Sequence, residues 1–139
     1  MAGGLRYNGK IGLLSIDIDG NDYWIWDSLE IIRPAIVVIE AKVEFGMKSI
    51  VVPYSNENHH RFDKRYNGAS VEALHKLGVR KGYTLVGANA HAYNLFFIDN
   101  MYLKPPFQAV ETATLLQHPE TIKSLYPASF FESHTFVLI

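Results

Sequence analysis

Residues 13–26 read LLSIDIDGNDYWIW, and the fold turns on how this stretch is divided. An apolar run carrying Leu13, Leu14, Ile16 and Ile18 is stopped by Gly20, Asn21 and Asp22, and an aromatic-rich helical pattern follows at once. A continuous apolar run bounded by turn residues reads as a strand of a parallel sheet, covered on both faces. Asp17 and Asp19 stand two residues apart, so both side chains leave one face at the strand's carboxyl end. In open α/β sheets the loops at that end form the ligand crevice, and the next helix starts there with free backbone N–H groups.

Working outward, Asp22 is placed to cap a helix over residues 23–31, where Ile25, Leu29 and Ile32 recur at helical spacing before Pro34. The run AIVVIE at 35–40 is a second strand, and strand-helix-strand order implies a right-handed parallel crossover that brings Glu40 near the acidic turn. Residues 41–67 hold no long periodic element; SIVVPY around Val51 suggests a brief strand that Pro53 keeps from the sheet centre. A long irregular segment leaving a strand's carboxyl end points to a binding loop.

Ser70 then caps a helix with the apolar stripe Val71, Leu74 and Leu77, closed by Gly78. Strands at 83–87 and 95–98, joined by a short polar loop at 88–94, are spaced for an antiparallel hairpin. The tail holds helices near 109–116 and 119–125 and a terminal apolar stretch at 136–139 that suits an added strand. Residues 1–12, with Gly3, Gly4, Gly9 and Gly12, read as a flexible arm, and residues 13–139 as a single α/β domain with a helical C-terminal extension.

At 139 residues and 48% hydrophobic content the chain suits one domain, and its net charge of -1 gives no electrostatic reason to expect nucleic acid or an anionic membrane. With no cysteine there is no disulfide, thiolate metal site or cysteine nucleophile. No stretch reaches the roughly 20 apolar residues that span a bilayer, and residues 1–12 lack a signal-peptide core, so a cytoplasmic protein is expected. Phosphate-loop, Gly-x-Ser-x-Gly and His-Glu-x-x-His motifs are missing from the sequence.

The series SIDIDGNDYWIWDSL, RPAIVVIE, VPY, YNGASVEALHKLGVRKGYTLVGAN and NLFFI resembles a group of bacterial methyltransferase-like proteins related to the FkbM family, over about residues 13–99. Asp17, Asp19, Gly20 and Asp22 match the acidic strand end and glycine of that pattern. The resemblance implies the second half of a class I S-adenosylmethionine-dependent methyltransferase. The expected fold is thus a truncated Rossmann-like half-sheet of about four to five strands, parallel with one antiparallel strand, flanked by helices. The Asp-x-Gly-x-x-x-Gly loop that builds the family's donor site is not found upstream of Leu13, and the family's Glu-Tyr-Asn is here Glu40, Ala41, Lys42.

Three functions follow as expectations. The first is a small, dimeric ligand-binding protein that has lost donor binding and holds a small molecule, with no cofactor needed by the isolated chain. The second is an S-adenosylmethionine-dependent methyltransferase for a small molecule or sugar hydroxyl, completed by a partner chain. The third is an assembly module presenting an apolar edge and Trp24 and Trp26.

For the crevice, Asp17, Asn21, Asp22, Glu40, Asn89 and Tyr54 are the expected substrate-binding residues, with His91 and Asp19 as candidate catalytic groups. Carboxylates and amides there supply oxygens for hydroxyls or a hard cation. An EF-hand loop is excluded, because counted from Asp17 the glycine, Gly20, falls at position four instead of six, and Ser28 occupies the twelfth position in place of glutamate. The competing structural roles are a cap for Asp22, a solvated loop for His59, His60 and Asp63, and core packing for the tryptophans. Loss of the donor half also makes the 13–18 strand a sheet edge, which invites covering by the arm, by the terminal segment or by a second copy across a two-fold axis.

Overall fold

The structure, a computed structural model, describes residues 9–57 and 63–139. Its main sheet has four strands: β1 (Leu13–Ile16), β2 (Ile36–Glu40), β4 (Tyr83–Ala88) and β5 (Asn94–Asp99), in the order β1-β2-β5-β4. β1 and β2 are parallel neighbours with Leu13 beside Ile36, and β5 runs antiparallel to both β2 and β4. Three strands therefore point one way and β5 the other. A separate ribbon pairs β3 (Ile50–Val51) with β6 (Val137–Leu138).

The helices between these strands are α1 (Asp22–Ser28) and α2 (Val71–Lys81). Trp26 of α1 lies 4.9 Å from Phe97 of β5 and 5.7 Å from Tyr83 of β4, ring centre to ring centre. Gly78 of α2 meets the same two rings, Phe97 and Trp26, so both helices pack on one face of the sheet. Burial alternates accordingly: Val37 and Ile39 are sealed, while Ile36 is 39% exposed and Leu13 57%. The expectation of a first strand covered on both faces is thus corrected. Leu14 and Ile16 pack into the core, whereas Leu13 and Ser15 face away from the helices and remain exposed.

Several boundaries move for local reasons. α1 starts at Asp22, with Asn21 at the cap position, and stops at Ser28 because Leu29 turns extended, short of the expected end at 31. α2 is capped by Ser70 as expected, its hydroxyl accepting the Ala73 N–H. It does not end at Gly78, which lies inside the helix; Gly82, left-handed at φ 84°, closes it. The hairpin strands run slightly longer than expected. In the tail, α3 (Thr112–Leu115), α4 (Pro119–Ser124) and an unanticipated α5 (Ala128–Glu132) precede β6. α5 sets Phe130 beside Phe45, Ile50 and Val52 in a small second core.

Pairing also decides which edges are covered. The terminal segment joins β3 and so does not shield β1, contrary to one of the three options above. Before β1, the Ile11 and Gly12 carbonyls accept the Ala35 and Ile36 N–H groups, extending the β2 side of the arm's last residues. Among the described residues no strand pairs with the outer side of β1. At the opposite edge the Val110 N–H reaches the Leu85 carbonyl, so the tail partly covers β4.

Of the two tryptophans, Trp26 takes the core-packing role and presents no surface. Trp26 is 1% exposed and belongs to the core, and the half-buried Trp24 spends its indole N–H on the Val52 carbonyl at 2.9 Å. No helix among the described residues is long and apolar enough to cross a membrane.

Candidate functional site

The crevice forms where β1 and β2 end side by side. After Ile16 the chain leaves the sheet, and Asp22 reaches back to fold the turn: Oδ1 accepts the Ile18 N–H and Oδ2 the Gly20 N–H, each at 3.0 Å. Asp22 is 2% exposed, and both its oxygens are used for this purpose. Its role is therefore to shape the loop, in place of either the expected helix cap or a ligand contact. Asp19 adopts φ 53°, a left-handed conformation that carboxylate and amide side chains tolerate better than most.

Asn21 fastens the second wall. Its Nδ2 donates to the Ser55 carbonyl at 2.8 Å, and its Oδ1 accepts the Ser55 N–H at 3.3 Å. Together with the Trp24 bond to Val52, this lays residues 52–55 along the start of α1. The result is a pocket of about 170 Å³ at the carboxyl end of β1. Ile18, Val52 and Pro53 supply its apolar lining; Asp19, Asn21, Ser55, Asn56, Glu57 and Asn67 supply oxygens and amides. A few apolar contacts with convergent polar groups suit a small polar ligand.

Next to the pocket, carboxylate oxygens of Asp17, Asp19 and Glu40 lie within 4.8 Å of one another. Asp19 belongs to both the pocket and this group. Glu40, the last residue of β2, sits opposite Asn94 and is partly buried. Burial pushes its carboxyl up to about 7, and the charges of Asp17 and Asp22, a hydrogen bond with Asp17 and the charge of Asp19 push the same way. A carboxyl raised that far exchanges its proton near neutrality, as an acid–base group requires. Three converging oxygens can also hold a hard cation or a pair of hydroxyls.

The remaining expected residues fall elsewhere. Asn89 closes the β4–β5 hairpin: its Oδ1 accepts the Asn94 N–H at 3.1 Å, and its N–H donates to the Asn94 carbonyl. The Tyr54 hydroxyl donates to Asn56 Oδ1 at 3.0 Å, so it supports a lining residue without lining the pocket itself. His91 packs its ring 4.3 Å from that of His118 and 6.0 Å from that of Tyr93, and is not among the pocket's lining residues. The neutral-range titrating group at the crevice is consequently Glu40, whose position at the end of AIVVIE had suggested only a substrate contact.

His59 and His60 lie outside the described residues; Asp63 pairs with Arg65 at 3.2 Å and His134 at 3.3 Å. Ser55, Asn56, Glu57 and Asn67 escaped the sequence reading as individuals. The signal that pointed to them was coarser: the long irregular stretch leaving β2, which the structure folds over the mouth of β1. No family model, curated protein or solved structure matches the chain.

Proposed function

We propose that this chain is a methyltransferase-like α/β domain that binds a small, hydroxyl-bearing molecule in the crevice at the ends of β1 and β2, without S-adenosylmethionine. The observation that carries the proposal is the coincidence of the 170 Å³ pocket with the Asp17, Asp19 and Glu40 carboxyls at one strand end. Support for the finer fold assignment comes from the strand order: β1, β2 and β4 run the same way through α1 and α2, and the hairpin's return strand lies between β2 and β4. Among the described residues the polar lining has no basic side chain, and that lining favours hydroxyl and amine donors over phosphates.

The test is a thermal-shift titration with polyols and sugars, with and without magnesium or calcium, followed by calorimetry with S-adenosylmethionine. A ligand that raises the melting temperature of the wild type should have no effect on Asp19→Ala, which removes the carboxylate shared by pocket and cluster. Equal shifts in both proteins would place the ligand elsewhere. Saturable heat with S-adenosylmethionine would instead favour the methyltransferase reading, with donor binding restored by this chain.

Among the described residues the outer edge of β1 is unpaired, which supports pairing of two copies through it. Leu13 and Ile36 are adjacent in register and both exposed, and a two-fold axis would bring the same surface from each copy together. Sedimentation equilibrium is expected to give a concentration-dependent dimer, weakened by Leu13→Lys; a monomer at every concentration rejects the pairing.

A further inference from the structure

A second site lies away from the crevice, where the 3-10 turn Val43–Phe45 meets the C-terminal helices. An open groove of about 360 Å³ is walled there by Phe45, Tyr126 and Phe131, with Met47 and Leu125 at its apolar margin. Tyr126 and Phe131 each stand at a steep angle to Phe45, 66° and 71°, at 6.1 and 6.0 Å between ring centres. Gly46, Lys48 and Glu44 complete the lining, and one oxygen of the Glu44 carboxylate is buried with no hydrogen-bond partner among the described residues.

The rings and the Glu44 carboxylate favour a cation, with Lys48 as its competitor. Aromatic rings attract positive charge through their faces, most strongly when the charge is weakly hydrated. A buried carboxylate oxygen without a partner is costly, and a cation placed beside it removes the cost. The groove already attracts the chain's own ammonium groups: Lys48 Nζ lies 4.8 Å from the centre of Phe131, and Lys42 Nζ 5.9 Å from that of Tyr126. Lys48 is exposed and can leave its ring for water at little cost. The Tyr126 hydroxyl, raised to about 12 by burial and then by the Glu44 charge, remains neutral and adds no competing negative charge.

We infer that the groove beside Phe45 is a binding site for a quaternary alkylammonium group, held on the half-buried Tyr126 and Phe131 rings and neutralised by Glu44. N-methyl groups match the apolar margin of Met47 and Leu125, where a primary ammonium would lose its water. The probe is choline, with its uncharged isostere 3,3-dimethyl-1-butanol as the comparison, titrated into the full chain and followed by NMR. Choline is expected to saturate and shift Tyr126 and Phe131 resonances, with the isostere at least about tenfold weaker.

Glu44→Gln should weaken choline by about tenfold and leave the isostere unchanged, while Lys48→Met, which removes the competing ammonium, should tighten choline. Both variants are checked for folding by their unfolding transitions, so that either can decide the matter if the other fails to fold. Equal affinity for choline and the isostere would reduce the groove to a hydrophobic surface and overturn the inference. So would choline binding indifferent to Glu44→Gln, or the absence of saturation.

Discussion

Gly78→Ala is expected to destabilise the fold by about 2 kcal/mol, although alanine is the better helix former by about 1 kcal/mol. A methyl group at this position would stand 2.5 and 2.7 Å from two atoms of the Phe97 ring and 3.3 Å from Trp26. Neither ring has room to retreat: Phe97 is fully buried, Trp26 nearly so, and they pack against each other at 4.9 Å. The helix must therefore lift from the sheet or the ring must leave its rotamer, and both costs fall at the upper end of what overpacking brings. Urea unfolding should show a lower midpoint at unchanged slope. Combining the change with Phe97→Leu, which vacates the space, should recover part of the loss, so the pair is less than additive. If Gly78→Ala proves as stable as the wild type, glycine does not set the approach of α2 to β5.

Glu40→Gln is expected to act in the opposite direction, and only above mild acidity. The folded-state pKa of Glu40, about 7 against an ordinary 4.5, means that the folded chain holds a proton which the unfolded chain has already released. As pH rises from the unfolded to the folded value, stability is lost; above about 7 both states are ionised and the penalty is constant. The full shift corresponds to roughly 3 kcal/mol, and partial exposure reduces it to roughly 1–2 kcal/mol. Glutamine keeps the shape without the charge, so the variant should be more stable than the wild type at pH 8 and similar at pH 4. The gap should open between those limits. A gap that is flat with pH, or a wild type that is the more stable at pH 8, would mean that Glu40 is well compensated and that the three carboxyls do not repel one another.

The two substitutions separate the two kinds of information in this chain. Gly78 illustrates an ambiguity of local reading: a glycine after the apolar stripe Val71, Leu74 and Leu77 looks like a terminator, and the pattern alone contains nothing of Phe97, nineteen positions later on another strand. Only the approach of helix to sheet gives the residue its meaning. Gly82, the true end of α2, is just as visible in the sequence, but choosing between the two needs the space that the tertiary packing leaves. Asp22 shows the same limit, since a cap and a loop-closing carboxylate call for the same residue type at almost the same place.

What the sequence by itself determined is the part governed by short-range periodicity: a parallel β1-α1-β2 unit, the capped start of α2, the β4–β5 hairpin and the acidic strand end. Apolar spacing, caps and turn residues act over a few positions, so they can be read without a partner. Tertiary structure alone decided the lining of the crevice, because Asn21 and Ser55 are 34 residues apart and meet only once the irregular stretch has folded back over β1. It also decided that residues 137–138 pair with β3 and not with β1. Long-range contacts of this kind are selected by competition among surfaces for the same buried space, and that competition has no signature in any single window of residues.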